Sequence, residues 1–276
     1  MDICCGIVLY NPDIKRLKEN IQAIEEQVSK IVVIDNGSSN IEKVKSQFSY
    51  SNNIIISENY KNQGIAYALN QIMEFAEKNG YQWVLALDQD SICDKNLISV
   101  YQTHIKSNIG ILCPKIIDLN KQEKNDNSEY EDIYDSSEVI TSGSLIQVDA
   151  WRKVGRFDDR LFIDFVDTEF QERIIRFGYK IIRINKTYIF HEIGKMREIK
   201  IGSFVICCSN HSAFRRYYMV RNRLYFKRKY YGWRAYFKEK IRLILGDIKI
   251  LIFEKEKGEK IKASIRGYRD YRTLLK

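Results

Sequence analysis

The run Trp83–Ser91, W-V-L-A-L-D-Q-D-S, constrains this chain more than any other stretch. Its first five residues are uninterrupted apolar side chains, the pattern of a strand buried on both faces. The run stops abruptly at Asp88-Gln89-Asp90. Side chains alternate along an extended backbone, so two carboxylates one residue apart point the same way. Like charges held together at the end of a buried strand are costly without a cation. A hard divalent ion with oxygen ligands removes the repulsion and can also hold a diphosphate. An isolated Asp-x-Asp is ordinarily an Asp-rich turn after a strand. The surroundings therefore decide what this one means.

The surroundings repeat the arrangement. Ile3–Leu9 reads as a strand broken by Tyr10-Asn11-Pro12, and Pro12-Asp13 opens a helix with Leu17, Ile21, Ile24 and Val28 at helical spacing. Ile31–Ile34 reads as a second strand, ending in Asp35-Asn36-Gly37-Ser38, a sequence suited to a turn and a helix cap. Ile54–Ser57 is a third, followed by Asn59–Gly64 and a helix from Ile65 to Lys78. Trp83–Leu87 is the fourth and Gly110–Lys115 the fifth. Strands alternating with helices at short spacing imply an α/β fold, a mainly parallel sheet covered by helices on both faces. In such sheets ligands sit at the carboxyl ends of the strands, where this chain repeatedly places polar residues.

Farther on, Asp118–Ser137 reads as a polar surface excursion and Leu145–Val148 as a strand after Thr141-Ser142-Gly143-Ser144. A helix from Asp167 to Phe177 has Phe170, Ile174 and Phe177 on its apolar side and stops at Gly178. Lys180–Ile184 and Thr187–Phe190 read as two further strands, the second running to His191.

Charge divides the chain. The net charge is +9, but Arg215–Lys276 carries about +14 and the rest about −5. A basic tail of this kind seeks a polyanion such as anionic lipid, nucleic acid or an acidic partner. Within it Trp233, Tyr236, Phe237, Ile241, Leu243, Ile244, Ile248, Leu251 and Ile252 give a broad apolar helical face between Lys238, Lys240, Arg242 and Lys249. That is a basic amphipathic helix, or a helix packed on the body, or both. No run of about 18 uncharged apolar residues exists to cross a bilayer. Met1-Asp2-Ile3 runs directly into a strand, which predicts no signal peptide. The six cysteines lack a C-x-x-C pairing and lie mostly in apolar runs, so they are expected to be reduced and packed, as in a cytoplasmic protein.

Taken together, V-L-Y-N-P, V-I-D-N-G-S, N-x-G-I-A-x-A-x-N, L-D-Q-D-S, S-G-S-L, F-D-x-R-L-F-I-D-F-V-D-T-E-F and H-x-x-G, in this order, resemble inverting family 2 glycosyltransferases. L-D-Q-D-S, I-D-x-V-D-T-E and H-S-x-x-R-R-Y-Y-x-x-R-N resemble more narrowly the bacterial rhamnosyltransferases that use dTDP-rhamnose to build O-antigens, capsules and other cell-wall polysaccharides. The resemblance covers about Ile3 to Asn222. Many members have a Glu-Asp pair where this chain has Val166-Asp167, a feature shared with the rhamnosyltransferase-like members.

The resemblance implies a GT-A type nucleotide-diphospho-sugar transferase fold over 1–213, with a basic, aromatic-rich helical extension over 214–276. It implies a divalent metal, Mg2+ or Mn2+, held by Asp88, Asp90 and His191. Asp167 is the expected general base, since an inverting transfer needs one carboxylate near the acceptor hydroxyl; a helix-capping Asp is its plain structural reading. Tyr10, Asn11, Asp35, Asn36, Asn62, Gly64, Asp88, Gln89, Ser142 and Gly143 are expected around the nucleotide sugar. Asp164 and Glu169 compete with Asp167, and His211, Arg215 and Arg221 are candidates for diphosphate or acceptor contacts. The expected partners are a nucleotide-sugar donor, dTDP-rhamnose first and a UDP-hexose or UDP-galactofuranose second, and a lipid-linked or oligosaccharide acceptor. The expected place is the cytoplasmic face of the inner membrane, bound peripherally through the basic tail. A nucleic-acid-binding protein with a basic arm is the rival of another class; the acidic body and strand-end carboxylates argue against it.

Overall fold

The computed structural model describes residues 2–49, 51–118, 133–136, 139–191, 197–201 and 204–276. The expected excursion at 118–137 lies largely outside the described residues, as does the glycine of the H-x-x-G motif. The elements are β1 (Ile3–Leu9), α1 (Ile14–Ile24), β2 (Lys30–Asp35), α2 (Ile41–Phe48), β3 (Ile54–Glu58), α3 (Ile65–Lys78), β4 (Trp83–Asp88), β5 (Ile92–Cys93), α4 (Leu97–Gln102), β6 (Ile109–Asp118) and β7 (Ile133–Asp135). They continue with β8 (Ser144–Gln147), α5 (Val148–Lys153), α6 (Val166–Arg176), β9 (Lys180–His191), β10 (Arg197–Ile201), β11 (Phe204–Cys208), α7 (Ala213–Phe253) and α8 (Lys257–Asp270). Two units result, one of Met1–Asp159 with Asp167–Ile193, the other of Arg160–Val166 with Gly194–Lys276.

The first unit is built on a sheet of order β3-β2-β1-β4-β8-β6-β9-β5, with β7 pairing β9. β3, β2, β1 and β4 are parallel. The register sets Leu9 beside Asp35 and Val8 beside Asp88, so the polar strand ends meet at one edge. β8 then enters antiparallel between β4 and β6, making the sheet mixed beyond β4. One face carries Ile3, Cys5, Ile7 and Leu9 against Leu17, Ile21 and Ile24 of α1. On the other face α3 comes so close that a Cβ on Gly6 would fall 2.3 Å from Ile72, which requires glycine there. Asp13 caps α1 by accepting from the Arg16 amide, and Gly178 stops α6 at φ 85°.

One expectation is corrected. Lys180–Ile184 and Thr187–Phe190 are one strand, not two. Pro114 pairs with Ile184 and Lys115 with Tyr188, so the polar Asn185-Lys186-Thr187 forms a bulge within continuous extended backbone. The five described cysteines are free and buried. Burial pushes the Cys4 and Cys93 thiols up to about 12, which leaves them unreactive packing groups.

In the second unit the basic tail is a helical hairpin. α7 is broken at Gly232, whose φ of 77° lies in the left-handed region. Arg216 pairs with Asp247 at 2.7 Å and Arg223 with Glu239 at 2.9 Å, so the two halves run antiparallel. α8 packs closely on α7: a Cβ on Gly267 would lie 2.9 Å from the Tyr217 carbonyl oxygen. Arg216 also donates to Ser264, and Tyr268 donates to Asp247 at 2.7 Å, closing a polar core. Buried Lys260 is matched by Glu254 at 3.0 Å and Asn210 at 2.7 Å.

Candidate functional site

β4 delivers Asp88 to the carboxyl edge of the sheet, and the turn after it holds Gln89, Asp90 and Ser91. α1 clamps that turn from outside. Buried Asn20 donates to the carbonyls of Asp88 (2.8 Å) and Ser91, and Arg16 Nε donates to the Asp90 carbonyl at 2.8 Å. With the backbone oxygens tied down, the carboxylates of Asp88 and Asp90 turn toward His191 at the end of β9. One ligand atom from each of the three lies within 4.8 Å of the others. His191 Nδ1 is 4.0 Å from Asp90 Oδ1 and 2.9 Å from the Ser91 hydroxyl.

Buried Ser142 links these parts. Its hydroxyl accepts from the Asp88 amide at 3.0 Å and donates to Ser91 Oγ at 2.8 Å, and Ser91 then meets the imidazole. This hydroxyl chain fixes the histidine ring, as the hydrogen-bond partners of metal-ligating histidines do. Ser142 is thus a support inside the site. Gly143 is a packing position: its carbonyl accepts from Tyr101, and a Cβ would strike Pro114 at 2.8 Å.

Burial pushes the Asp88 carboxyl up to about 6; His191 opposes that shift, and Asp90 and Asp167 add to it. Two carboxylates and an imidazole nitrogen, with one carboxyl held above its ordinary range by burial, are a donor set that a hard divalent cation fits. Asp167 stands in the first turn of α6, close enough for its charge to act on Asp88. Its Oδ1 accepts from the Thr168 amide at 2.8 Å.

The β1 and β2 loops form the neighbouring rim. Gln89 is clasped to the Tyr10 backbone, accepting from its amide at 2.9 Å. The Tyr10 ring is left exposed. Asn11 sits at φ 48° and accepts from the Ser39 amide and hydroxyl. Asp35 is buried and accepts from the amides of Gly37 and Ser38. Asn36 donates to Asn62 and to the Gly64 carbonyl and accepts from the Gln63 amide, and Asn62 accepts from the Gly64 amide. Asp35, Asn36 and Asn62 therefore shape this rim through internal bonds. Gly64, at φ 91°, ends the loop where α3 begins.

Glu169 is corrected. It is fully buried and held by Arg173 through three hydrogen bonds of 2.7–3.1 Å, so its carboxylate cannot serve an acceptor.

The remaining candidates belong to the second unit. Asp164 is held by Arg215 through both carboxylate oxygens, at 3.0–3.2 Å. Its segment is tightly wound, with Phe162, Asp164 and Phe165 all at φ above 60°. Buried Asn222 sustains this by donating to the carbonyls of Leu161, Ile163 and Asp164, each at 2.8 Å. Arg221 donates to the carbonyls of Arg160 and Leu161 and lies over the Tyr218 ring at 4.7 Å, so it braces the same segment. His211 is half-buried, and burial together with Arg215 holds it below the ordinary histidine range. Neither Asn20 nor Asn222 was singled out from sequence. The available signal was a polar residue on the apolar stripe of α1, and an Asn closing the H-S-x-x-R-R-Y-Y-x-x-R-N run.

Asn222→Ala is expected to lower the melting temperature, by about 2–4 °C for each kcal/mol lost. It removes a buried donor from the carbonyls of Ile163 and Asp164 and one of the donors to Leu161, whose carbonyl keeps the Ile163 amide and Arg221, and one uncompensated buried polar group alone costs ~1–3 kcal/mol. Thermal unfolding followed by circular dichroism measures this; an unchanged melting temperature would contradict the role.

Comparison with known proteins agrees with this geometry. The sequence pattern of Glycosyl transferase family 2 matches residues 4–221. The dTDP-rhamnosyl transferase RfbF of Shigella flexneri is 31% identical over 243 residues, which is 83% of this chain and 80% of that protein. The crystal structure of S. aureus TarS 1-349 superposes with a TM-score of 0.64 at 13% identity, covering 98% of this chain and 81% of that one. GalNAc-T7, crystallised with UDP, GalNAc and Mn2+, gives 0.61 at 15% identity and covers 82% of this chain. This chain spans about half of GalNAc-T7, 47% of its length. At such identities the solved structures speak for the fold, which is the GT-A type expected from the sequence. With the family pattern covering most of its length, the chain belongs to glycosyl transferase family 2.

Proposed function

We propose that this glycosyltransferase is metal-dependent and inverting, and that it moves rhamnose from dTDP-rhamnose to a hydroxyl of a growing cell-surface glycan, such as an O-antigen or capsule chain on a lipid carrier. The observation that carries the reading is the Asp88–Asp90–His191 cluster at the end of β4 in a family 2 domain. The choice of rhamnose is supported by the named activity of the Shigella flexneri relative.

Asp88, Asp90 and His191 would hold Mg2+ or Mn2+, which when bound supplies positive charge to the departing diphosphate. The Ser142–Ser91 chain keeps the His191 ring in place, and Asn20 and Arg16 keep the Asp88–Ser91 turn in place. The exposed Tyr10 ring offers an aromatic face to the base at the rim. Asp167 takes the proton from the acceptor hydroxyl as that oxygen attacks the anomeric carbon, opposite the leaving diphosphate. Asp164 is the weaker candidate for that task, because Arg215 already occupies both its oxygens.

Donor protection tests the sugar. With Mn2+ present, dTDP-rhamnose is expected to raise the melting temperature and to be turned over slowly by hydrolysis, while UDP-glucose, UDP-galactose and UDP-galactofuranose are not. Preference for a UDP-sugar would keep the family and mechanism and remove the rhamnose assignment.

A further inference from the structure

The second half of α7 carries an apolar face that its own unit leaves open. Trp233, Phe237, Ile241, Leu245, Ile248 and Ile252 are each 47–61% exposed. At 100° per residue they fall within an arc of about 120°, along roughly 30 Å of helix. Ile244 and Leu251 lie in the same arc and are also exposed. The buried residues of this half, Tyr236, Glu239, Leu243 and Ile250, lie on the far side. Single exposed apolar residues are ordinary, but a continuous stripe of this length marks an interaction surface.

Charge selects the occupant. Between Trp233 and Phe253 there are five basic residues and two acids. Both acids turn inward: Glu239 pairs with Arg223, and Asp247 with Arg216. Lys238 borders the apolar arc on one side and Lys240 on the other, so the face presents cations around hydrocarbon. Arg228 adds a guanidinium 4.0 Å over the Trp233 ring. A groove of about 560 Å³ opens at the turn of the hairpin, with Lys227, Lys238, Arg242 and the paired Glu239 around Tyr231, Ile241 and Leu245. A second copy meeting this face through a two-fold axis would bring the same positive border against itself. Nucleic acid offers phosphates, and bases that can stack on Trp233 and Phe237, but nothing for the four aliphatic side chains that make up the rest of the stripe. Among the described residues no helix is long and apolar enough to cross a membrane.

We propose that the Trp233–Ile252 face lies on an anionic lipid bilayer, with its apolar arc at the level of the acyl chains and its lysines and arginines among the phosphates. An interfacial helix gains affinity from both terms at once. This surface stands on the geometry of the second unit and does not depend on which sugar is transferred.

Intrinsic tryptophan fluorescence tests it with the full chain. Trp83 and Trp151 are buried, at 2% and 0% exposure, whereas Trp233 is 52% exposed, so a change on adding vesicles reports the proposed face. With phosphatidylcholine vesicles containing phosphatidylglycerol, emission is expected to shift to the blue and to be quenched by brominated acyl chains. Phosphatidylcholine alone should give little of either. Lys238→Gln with Lys240→Gln is expected to weaken binding about 25-fold, from about fivefold for each charge. Phe237→Ser with Leu245→Ser is expected to weaken it at least tenfold. All four side chains are solvent-accessible, and unchanged circular dichroism verifies the fold. Absence of a shift with anionic vesicles would overturn the proposal. So would a dimer in sedimentation equilibrium that Phe237→Ser dissociates while vesicles do not bind, since the face would then belong to a second copy.

Discussion

Asp167→Asn is expected to lower sugar transfer about 10²–10⁴-fold, the range a positioned general base contributes, while the melting temperature barely moves. The reason lies in the bond that Asp167 makes. Its Oδ1 accepts from the Thr168 amide, a bond that an Asn side chain keeps while it loses the basicity. Rate and stability therefore separate at this position. They should separate the opposite way at Glu169. Glu169→Gln breaks the pair of a fully buried carboxylate with the largely buried Arg173, and disrupting a buried pair costs up to about 3–5 kcal/mol. That variant should melt earlier yet retain its rate when assayed cold. Single-turnover transfer and calorimetry on the two variants distinguish the roles. Full activity in Asp167→Asn would return the base to Asp164.

The second large effect is expected at Asp90. Asp90→Ala should abolish stabilisation by Mn2+, which for the intact site at a hundredfold excess over Kd amounts to about 2.7 kcal/mol. Transfer should fall with it. The apo protein should not be destabilised, because Asp90 is one of the charges that raise Asp88. The sign of the pH dependence follows from the same group. The Asp88 carboxyl titrates near 6 in the folded chain and near 3.8 when free. Its proton is bound more tightly by the folded state, so the apo chain loses stability as pH rises from about 4 through 6. A cation competes with that proton. The Mn2+-dependent rise in melting temperature should be full above about pH 7 and vanish below about pH 5. A rise that persists at the lower pH would show that Asp88 is not a ligand.

These expectations draw on two kinds of information. The buried β4 run, the two acids that end it, the Asp13 cap and the Gly178 stop are all local. Each follows from side-chain alternation, from a short polar side chain reaching a nearby amide, or from a glycine accepting positive φ. Such forces act over a few residues, so they leave a readable trace. The motif order that identified the family is local in the same sense.

The tertiary structure decided what depends on residues far apart. β8 is four residues long, and nothing within it specifies that it lies antiparallel between β4 and β6. The polar stretch Asn185-Lys186-Thr187 looks like a break between strands, yet pairing with β6 on both sides makes it a bulge. Asn36 and Asn62 have the chemistry to touch a ligand, but loops from separate strands satisfy them internally. Ser142 supports His191 across the Asp88–Ser91 turn. Gly232 turns an apparently continuous basic helix back on itself, because Arg216 and Arg223 find Asp247 and Glu239 only in the hairpin. By itself the sequence determined the fold class through its periodicity and the family through its ordered motifs, and the family resemblance pointed to Asp88, Asp90 and His191. Which polar groups stay free for chemistry was decided only in three dimensions, because a buried donor or acceptor must find its partner wherever the fold places one.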